Sequence, residues 1–305
     1  MFDYQAAYKR NGAGSHMKTF WLTVLAFILM YAAAVLFILV MALPASFIDS
    51  GVAVLWVFAV GFLFLLAGIF LFYPFGVGVM RYYACTCLGR DFGFREAFKV
   101  FTKGRYSKVI KLGLLVLAAY FAISFVLGLI MQFILMAVNM PLITLAETFE
   151  QGSGLSGGQI GLIIGLVLLN FLVVMISYIP YLMIAIYMFL VYMAYIDQPL
   201  SPTTDKFKVA WEVMFRGGER IWKLLFSNFL LWMIPLAIYL IFIVAAIPAG
   251  LFVNEIAFPI LMVAGALLMV AAYAVVMYFM VGSITAYYFK SRDTLDREYR
   301  RMHQP

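Results

Sequence analysis

Every lysine and arginine of the chain falls in one of four places: before Thr19 (Lys9, Arg10, Lys18), from Arg81 to Lys111, from Lys206 to Lys223, and from Lys290 to Arg301. Six apolar stretches lie between and beyond these segments, at about 19–43, 52–80, 109–138, 159–196, 224–248 and 259–289. The three other connections, near Pro44–Ser50, Asn139–Gln159 and Ala249–Phe258, hold no basic residue. About 20 apolar residues suffice to cross the ~30 Å hydrocarbon core of a bilayer, and cytoplasmic loops carry the excess of Lys and Arg. The strict alternation therefore predicts an all-α, polytopic transmembrane bundle of six spans with both termini cytoplasmic. Residues 1–305 form a single integral membrane domain on this reading. A water-soluble fold is excluded, because 66% of the residues are hydrophobic and 11% charged, against roughly one-half and one-quarter in soluble domains.

The net charge of +7 has a ready account in loops that face anionic lipid, so membrane lipids and not nucleic acid are the expected partners. Two features near the start bear on the count of spans. Gly14-Ser15-His16-Met17 looks like the remnant of a cleaved tag, and the residues after it mimic a signal peptide with Ala32-Ala33-Ala34 as a cleavage site. The apolar run continues past that triplet to Leu43, a spanning length, and is read as a retained first helix. The fourth stretch is nearly forty residues long and contains Pro180, which kinks one helix or divides two; the alternation of charge requires an odd number of crossings there, and one is the simple solution. Tyr82, Tyr83, Tyr192, Tyr195, Trp222, Tyr287 and Tyr288 sit where aromatic belts of the interface are expected.

The basic connections carry a repeated pattern. Phe94, Ala97, Phe98 and Phe101 recur at i, i+3, i+4 and i+7, with Arg95, Glu96, Lys99 and Lys103 between them, the spacing of an amphipathic helix. The same spacing returns as Phe207, Ala210, Trp211 and Met214, and a weaker copy opens the chain as Tyr4, Ala7 and Tyr8. Seven residues after each shared alanine stands a glycine: Gly104, Gly217 and Gly14. The expected unit is a cytoplasmic-surface helix, a glycine break and a transmembrane hairpin, repeated over about 1–90, 91–203 and 204–305. Because Gly14 falls at the repeat glycine, residues 1–17 are read as part of the protein itself. Phe94, Phe98, Phe101, Phe207, Trp211 and Met214 are the candidate face toward the membrane surface or a partner.

The spans offer little chemistry. No ionisable side chain lies within the six apolar cores, where pumps and proton-coupled carriers place one. The neutral polar residues Ser124, Gln132, Asn170, Ser177, Asn228 and Ser283 suit contacts between helices, as does the Gly161/Gly165 pair. The histidines are His16 and His303, so no metal site, cofactor site or catalytic constellation is expected. Cys85 and Cys87 end the second span. A loop with Glu147, Glu150, Gly152-Ser153-Gly154 and Ser156-Gly157-Gly158 forms the largest external connection. Pro74, Pro180 and Pro235 interrupt spans, and Asn170, Ser177, Tyr178, Pro180 and Tyr181 are the pocket candidates.

Tyr195-Ile196-Asp197-Gln198-Pro199, followed by Ala210, Met214, Gly217 and Trp222, resembles a family of bacterial six-helix integral membrane proteins of unknown function. Leu88-Gly89-Arg90-Asp91 with Phe94, Phe98 and Tyr106 is similar to that family's first cytoplasmic connection, and Ala286-Tyr287-Tyr288 to its closing aromatic pair. The resemblance covers about residues 75–290. It implies a bacterial inner (cytoplasmic) membrane and brings no activity or catalytic residues. The expected function is a non-enzymatic accessory or scaffold subunit that engages lipid, a protein partner or a second copy of itself. The alternative is a transporter of an amphipathic or lipid-like substrate.

Overall fold

The computed structural model describes residues 2–45, 47, 50–150, 157–252 and 257–302, and among them there is no strand. The helices are α1 (Asp3–Asn11), α2 (His16–Ala45), α3 (Ser50–Ala67), α4 (Tyr73–Cys87), a 3₁₀ helix (Phe94–Phe101), α5 (Tyr106–Glu150), α6 (Gly157–Asp197), α7 (Thr203–Phe215), α8 (Ile221–Phe252) and α9 (Ala257–Met302). Six helical segments among the described residues are long and apolar enough to cross a membrane, one in each stretch expected. The fourth is a single helix, since α6 runs unbroken through Pro180. Residues 151–156, expected in an external loop, the side chains of Glu147, Glu150 and Ser177, and His303 lie outside the described residues.

The second span is one rod built from α3, a π-helical turn at Gly68–Phe72 and α4. Pro74 accounts for the turn. It has no N–H to offer the carbonyl four residues back, at Phe70, and its ring crowds that position. The Tyr106 hydroxyl supplies the missing donor, 2.8 Å from the Phe70 carbonyl oxygen.

The chain divides into two units, residues 1–112 with 189–305, and residues 113–188. In the smaller unit α5 and α6 present apolar side chains such as Phe121, Phe125, Phe133 and Leu168 outward, the surface that lipid tails cover. Asn170 donates to the Asn139 side chain, a polar contact between the two helices of the unit. A Cβ at Gly161 or Gly165 would meet nothing within 4 Å, so this pair marks no close helix approach among the described residues.

In the larger unit the biggest fully buried side chains are Tyr4, Tyr8, Tyr82, Tyr195, Tyr287, Tyr288 and Lys206. Four of these tyrosines were expected in an interfacial belt; they are instead core residues. Their hydroxyls explain the burial, because each finds a polar partner. Tyr82 donates to the Phe94 carbonyl at 2.9 Å, Tyr195 to the Arg105 carbonyl at 3.2 Å, and Tyr288 to Asp197 Oδ2 at 3.2 Å. Tyr287 donates to the Val213 and Met214 carbonyls at 3.2 and 3.0 Å, capping carbonyls in the last turn of α7, which have no partner within that helix. Trp222 is exposed.

Candidate functional site

The four basic segments of the chain meet in one layer at the ends of the spans, and short elements form a collar there. α1 packs on α9 and α4, the 3₁₀ helix on α4, and α7 on α9. Each docks where a span or a neighbour carries a small residue. The Tyr8 ring lies over Gly282, the Ala97 backbone over Gly78, and Gly217 against Ser291, with any added Cβ meeting these groups at 2.3, 2.0 and 2.5 Å respectively.

The segment 94–101 differs from expectation in kind. It is a 3₁₀ helix with buried Ala97 and Val100, so the inward register is every third residue and not the α-helical i, i+3, i+4, i+7. Phe94 and Phe101 are partly buried, while Phe98 is exposed and has ring contacts to Phe75, Phe94 and Phe101. Glu96 anchors the segment, accepting from Arg81 at 2.7 Å and pairing with Lys99 at 2.6 Å. Burial opposes charge on this carboxyl, but the hydrogen bonds from Lys99 and Arg81 outweigh it and hold Glu96 below its ordinary value of 4.5. A depressed carboxyl contributes stability above its unfolded pKa and loses it as the pH falls through the folded value. The thermal midpoint of the detergent-solubilised protein is therefore expected to drop as the pH falls below 4.5, and Glu96→Gln to flatten that part of the profile. An unchanged profile in Glu96→Gln would remove Glu96 from this role.

α7 divides the face expected of it. Ala210 and Met214 are buried with Lys206 and Val213, Phe207 is intermediate, and Trp211 is exposed. Trp211 and Phe215 form a ring pair at 4.4 Å on the outer side, in line with Thr204 and Lys208. Lys206 is 1% exposed. Its ammonium donates to the Ser201 carbonyl at 2.8 Å and lies 5.6 Å from the centre of the Tyr195 ring; burial, followed by the nearby Lys108, lowers its pKa. Lys108 also donates to the carbonyls of Leu200 and Ser201, so two lysines clamp the turn that follows α6.

α1 carries more than its aromatic pattern announced. Gln5 donates to Ser227 Oγ and Asn228 Oδ1, both at 3.0 Å, and Ser283 donates to the same Asn228 oxygen at 2.9 Å. One buried polar cluster thus ties α1, α8 and α9. Tyr4 donates to Glu219 at 2.9 Å, Glu219 pairs with Lys290 at 2.8 Å, and Lys223 pairs with Asp3. Burial, with the Glu219 carboxylate beside it, pushes the Tyr4 hydroxyl pKa up. His16, within the tag-like tetrapeptide, bonds to the Tyr278 hydroxyl at 2.8 Å and the Lys9 carbonyl at 2.8 Å, so that tetrapeptide is built into the collar.

The collar holds a half-open cavity of about 890 Å³ between α1, the end of α4, the end of α6 and α9. Its lining includes Arg10, Leu88, Arg90, Asp197, Phe289, Arg292, Asp293 and Asp296. Cys87 also reaches it, as a buried free thiol; Cys85 is free as well. A second hollow of about 610 Å³ is wholly apolar and lies between α8 and α9, lined by Leu231, Ile234, Leu268 and Ala272 among others. Neither includes Asn170, Tyr178, Pro180 or Tyr181. Tyr178 points outward, 65% exposed. No group of three His, Cys, Asp or Glu positioned to hold a metal occurs among the described residues. The charged cavity escaped sequence reasoning because its walls come from segments about 80 to 290 residues apart; the sole local signal was Asp197, an acidic residue ending a span. No family model, curated protein or solved structure matches the chain.

Proposed function

We propose that this chain is a non-enzymatic, multi-pass accessory or scaffold subunit of a bacterial cytoplasmic membrane. It engages lipid or a protein partner through the outer faces of its surface helices. The observation that carries the reading is the outer side of α7, where the Trp211–Phe215 ring pair is exposed beside Lys208 and Arg216 while the opposite side is buried. Aromatic rings flanked by cations suit the headgroup layer or the rim of a protein interface. Exposed Phe98 adds an aromatic contact on the 3₁₀ helix.

The positive-inside bias supports cytoplasmic termini, with 21 basic against 10 acidic side chains on that face. Glycines with positive φ support a threefold repeat of surface helix and hairpin: Gly14 (88°), Gly104 (82°) and Gly218 (72°) follow the three surface helices. In the last copy the left-handed residue is Gly218 and not Gly217, since Gly217 is the one pressed against Ser291. The resemblance of residues 75–290 to six-helix bacterial membrane proteins supports the choice of membrane.

Native mass spectrometry of protein extracted in mild detergent tests the proposal. The expected spectrum shows retained lipid, a second polypeptide or a second copy, with the retained mass reduced severalfold in Trp211→Ser/Phe215→Ser. A bare monomer from wild-type protein would sink it.

A further inference from the structure

We propose that the cavity between α1, α4, α6 and α9 binds a zwitterion carrying a phosphate and a primary ammonium, the headgroup chemistry of an aminophospholipid. The charges of its lining are the starting point. Asp3 pairs with Lys223, Lys290 with Glu219, and Arg292 with Asp296. The four charged lining side chains that remain, Arg10, Arg90, Asp197 and Asp293, make no ion pair among the described residues. Two are guanidiniums and two are carboxylates. An anion alone would leave Asp197 and Asp293 without an ion-pair partner, and a cation alone would leave the two guanidiniums so; a zwitterion answers both.

The two signs are carried by different elements. Arg10 belongs to α1 and Arg90 to the turn after α4, whereas Asp197 ends α6 and Asp293 lies on α9. Guanidiniums present a planar fork that matches phosphate oxygens. At the end of α6, Asp197 Oδ2 accepts from Tyr288 at 3.2 Å, which fixes the carboxylate and leaves Oδ1 for a donor. A primary ammonium brings three N–H groups to such a site, and a trimethylammonium brings none.

Size and depth agree with this ligand. About 890 Å³ lies within the ~300–1,000 Å³ of small-molecule clefts. Cys87 and Asp197 are the terminal residues of two spans, so the cavity opens at the level of lipid headgroups. Ala6, Leu88 and Phe289 give it an apolar side for the carbons next to the headgroup. It shares no residue with the outer face of α7 and stands whether or not that face docks.

The test is titration calorimetry on the full chain in detergent, with dihexanoyl phosphatidylethanolamine, the matching phosphatidylcholine and phosphatidylglycerol, and soluble O-phosphoethanolamine as probes. Saturable binding of the ethanolamine lipid is expected, at least tenfold tighter than the choline and glycerol lipids. Arg10→Gln/Arg90→Gln should weaken it at least tenfold, and so should Asp197→Asn, which keeps a partner for Tyr288. Arg10 and Arg90 are exposed, so the first variant is expected to keep the wild-type thermal midpoint, and the comparison is read on it if Asp197→Asn fails to fold. Equal binding of O-phosphoethanolamine would support the same chemistry with a soluble ligand as its source, and binding of the lipid alone would support a lipid source. No saturable binding of either ethanolamine probe, equal affinity for all three lipids, or affinity unchanged in the arginine variant would overturn the proposal.

Discussion

Gly78→Val is expected to destabilise the protein by about 3 kcal/mol or more, at the upper end of what overpacking usually costs. The first added carbon would lie 2.0 Å from the Ala97 carbonyl oxygen and 2.9 Å from its carbonyl carbon. That obstacle is backbone, so no rotamer change relieves it. The backbone is also pinned on both sides, by the Tyr82 hydroxyl on the Phe94 carbonyl and by Arg81 on Glu96. The variant must therefore lift the 3₁₀ helix from α4 and break those bonds. Gly76→Val, two residues away, is the control, because a Cβ there meets nothing within 4 Å. Denaturant titration in detergent should separate the two variants clearly, and trypsin should cut sooner at Lys99 and Lys103 in the first. Equal stability of the two would show that the 3₁₀ helix is not seated on Gly78.

Tyr8→Ala is expected to cost about 3–5 kcal/mol, the range for emptying a buried aromatic site. Tyr8 is fully buried, stacks on Tyr83 with ring centres 6.4 Å apart, and donates to the Tyr278 hydroxyl at 3.3 Å. Its ring occupies the space that the side chain of any larger residue at 282 would take, at 2.3 Å. The two positions are therefore coupled. Gly282→Ala should destabilise the wild-type chain but cost little in the Tyr8→Ala background, where the ring it strikes is gone. Additive costs in this double-mutant cycle would be incompatible with the seating of α1 on α9.

The six spans were legible because hydropathy is summed over twenty or more residues, and no local accident erases such a signal. The continuity of α6 through Pro180 was less so: proline disfavours a helix locally, whereas a membrane-spanning segment must still satisfy its backbone internally. At 94–101 two periods overlap. Phe94 and Ala97 belong equally to an α-helical stripe and to a threefold one, and Val100, small and unremarkable in the sequence, decides between them by being buried. The tyrosines misled for a different reason. At the end of a span, a tyrosine of the interface and a tyrosine of the core have the same neighbours in sequence; the distinction lies in whether a distant carbonyl or carboxylate meets the hydroxyl. Gln5 with Asn228, and Tyr288 with Asp197, are pairings of the same kind, visible once the helices are in place.

The seating of α1 also sets an order of events. It precedes the six spans in the sequence, yet the groups that receive it, Ser227, Asn228, Tyr278, Gly282 and Tyr287, belong to α8 and α9. The buried face of α1 therefore has its polar partners only once α8 and α9 are in place. A chain that lacks α9 is thus distinguished from one that has it by an exposed, aromatic α1.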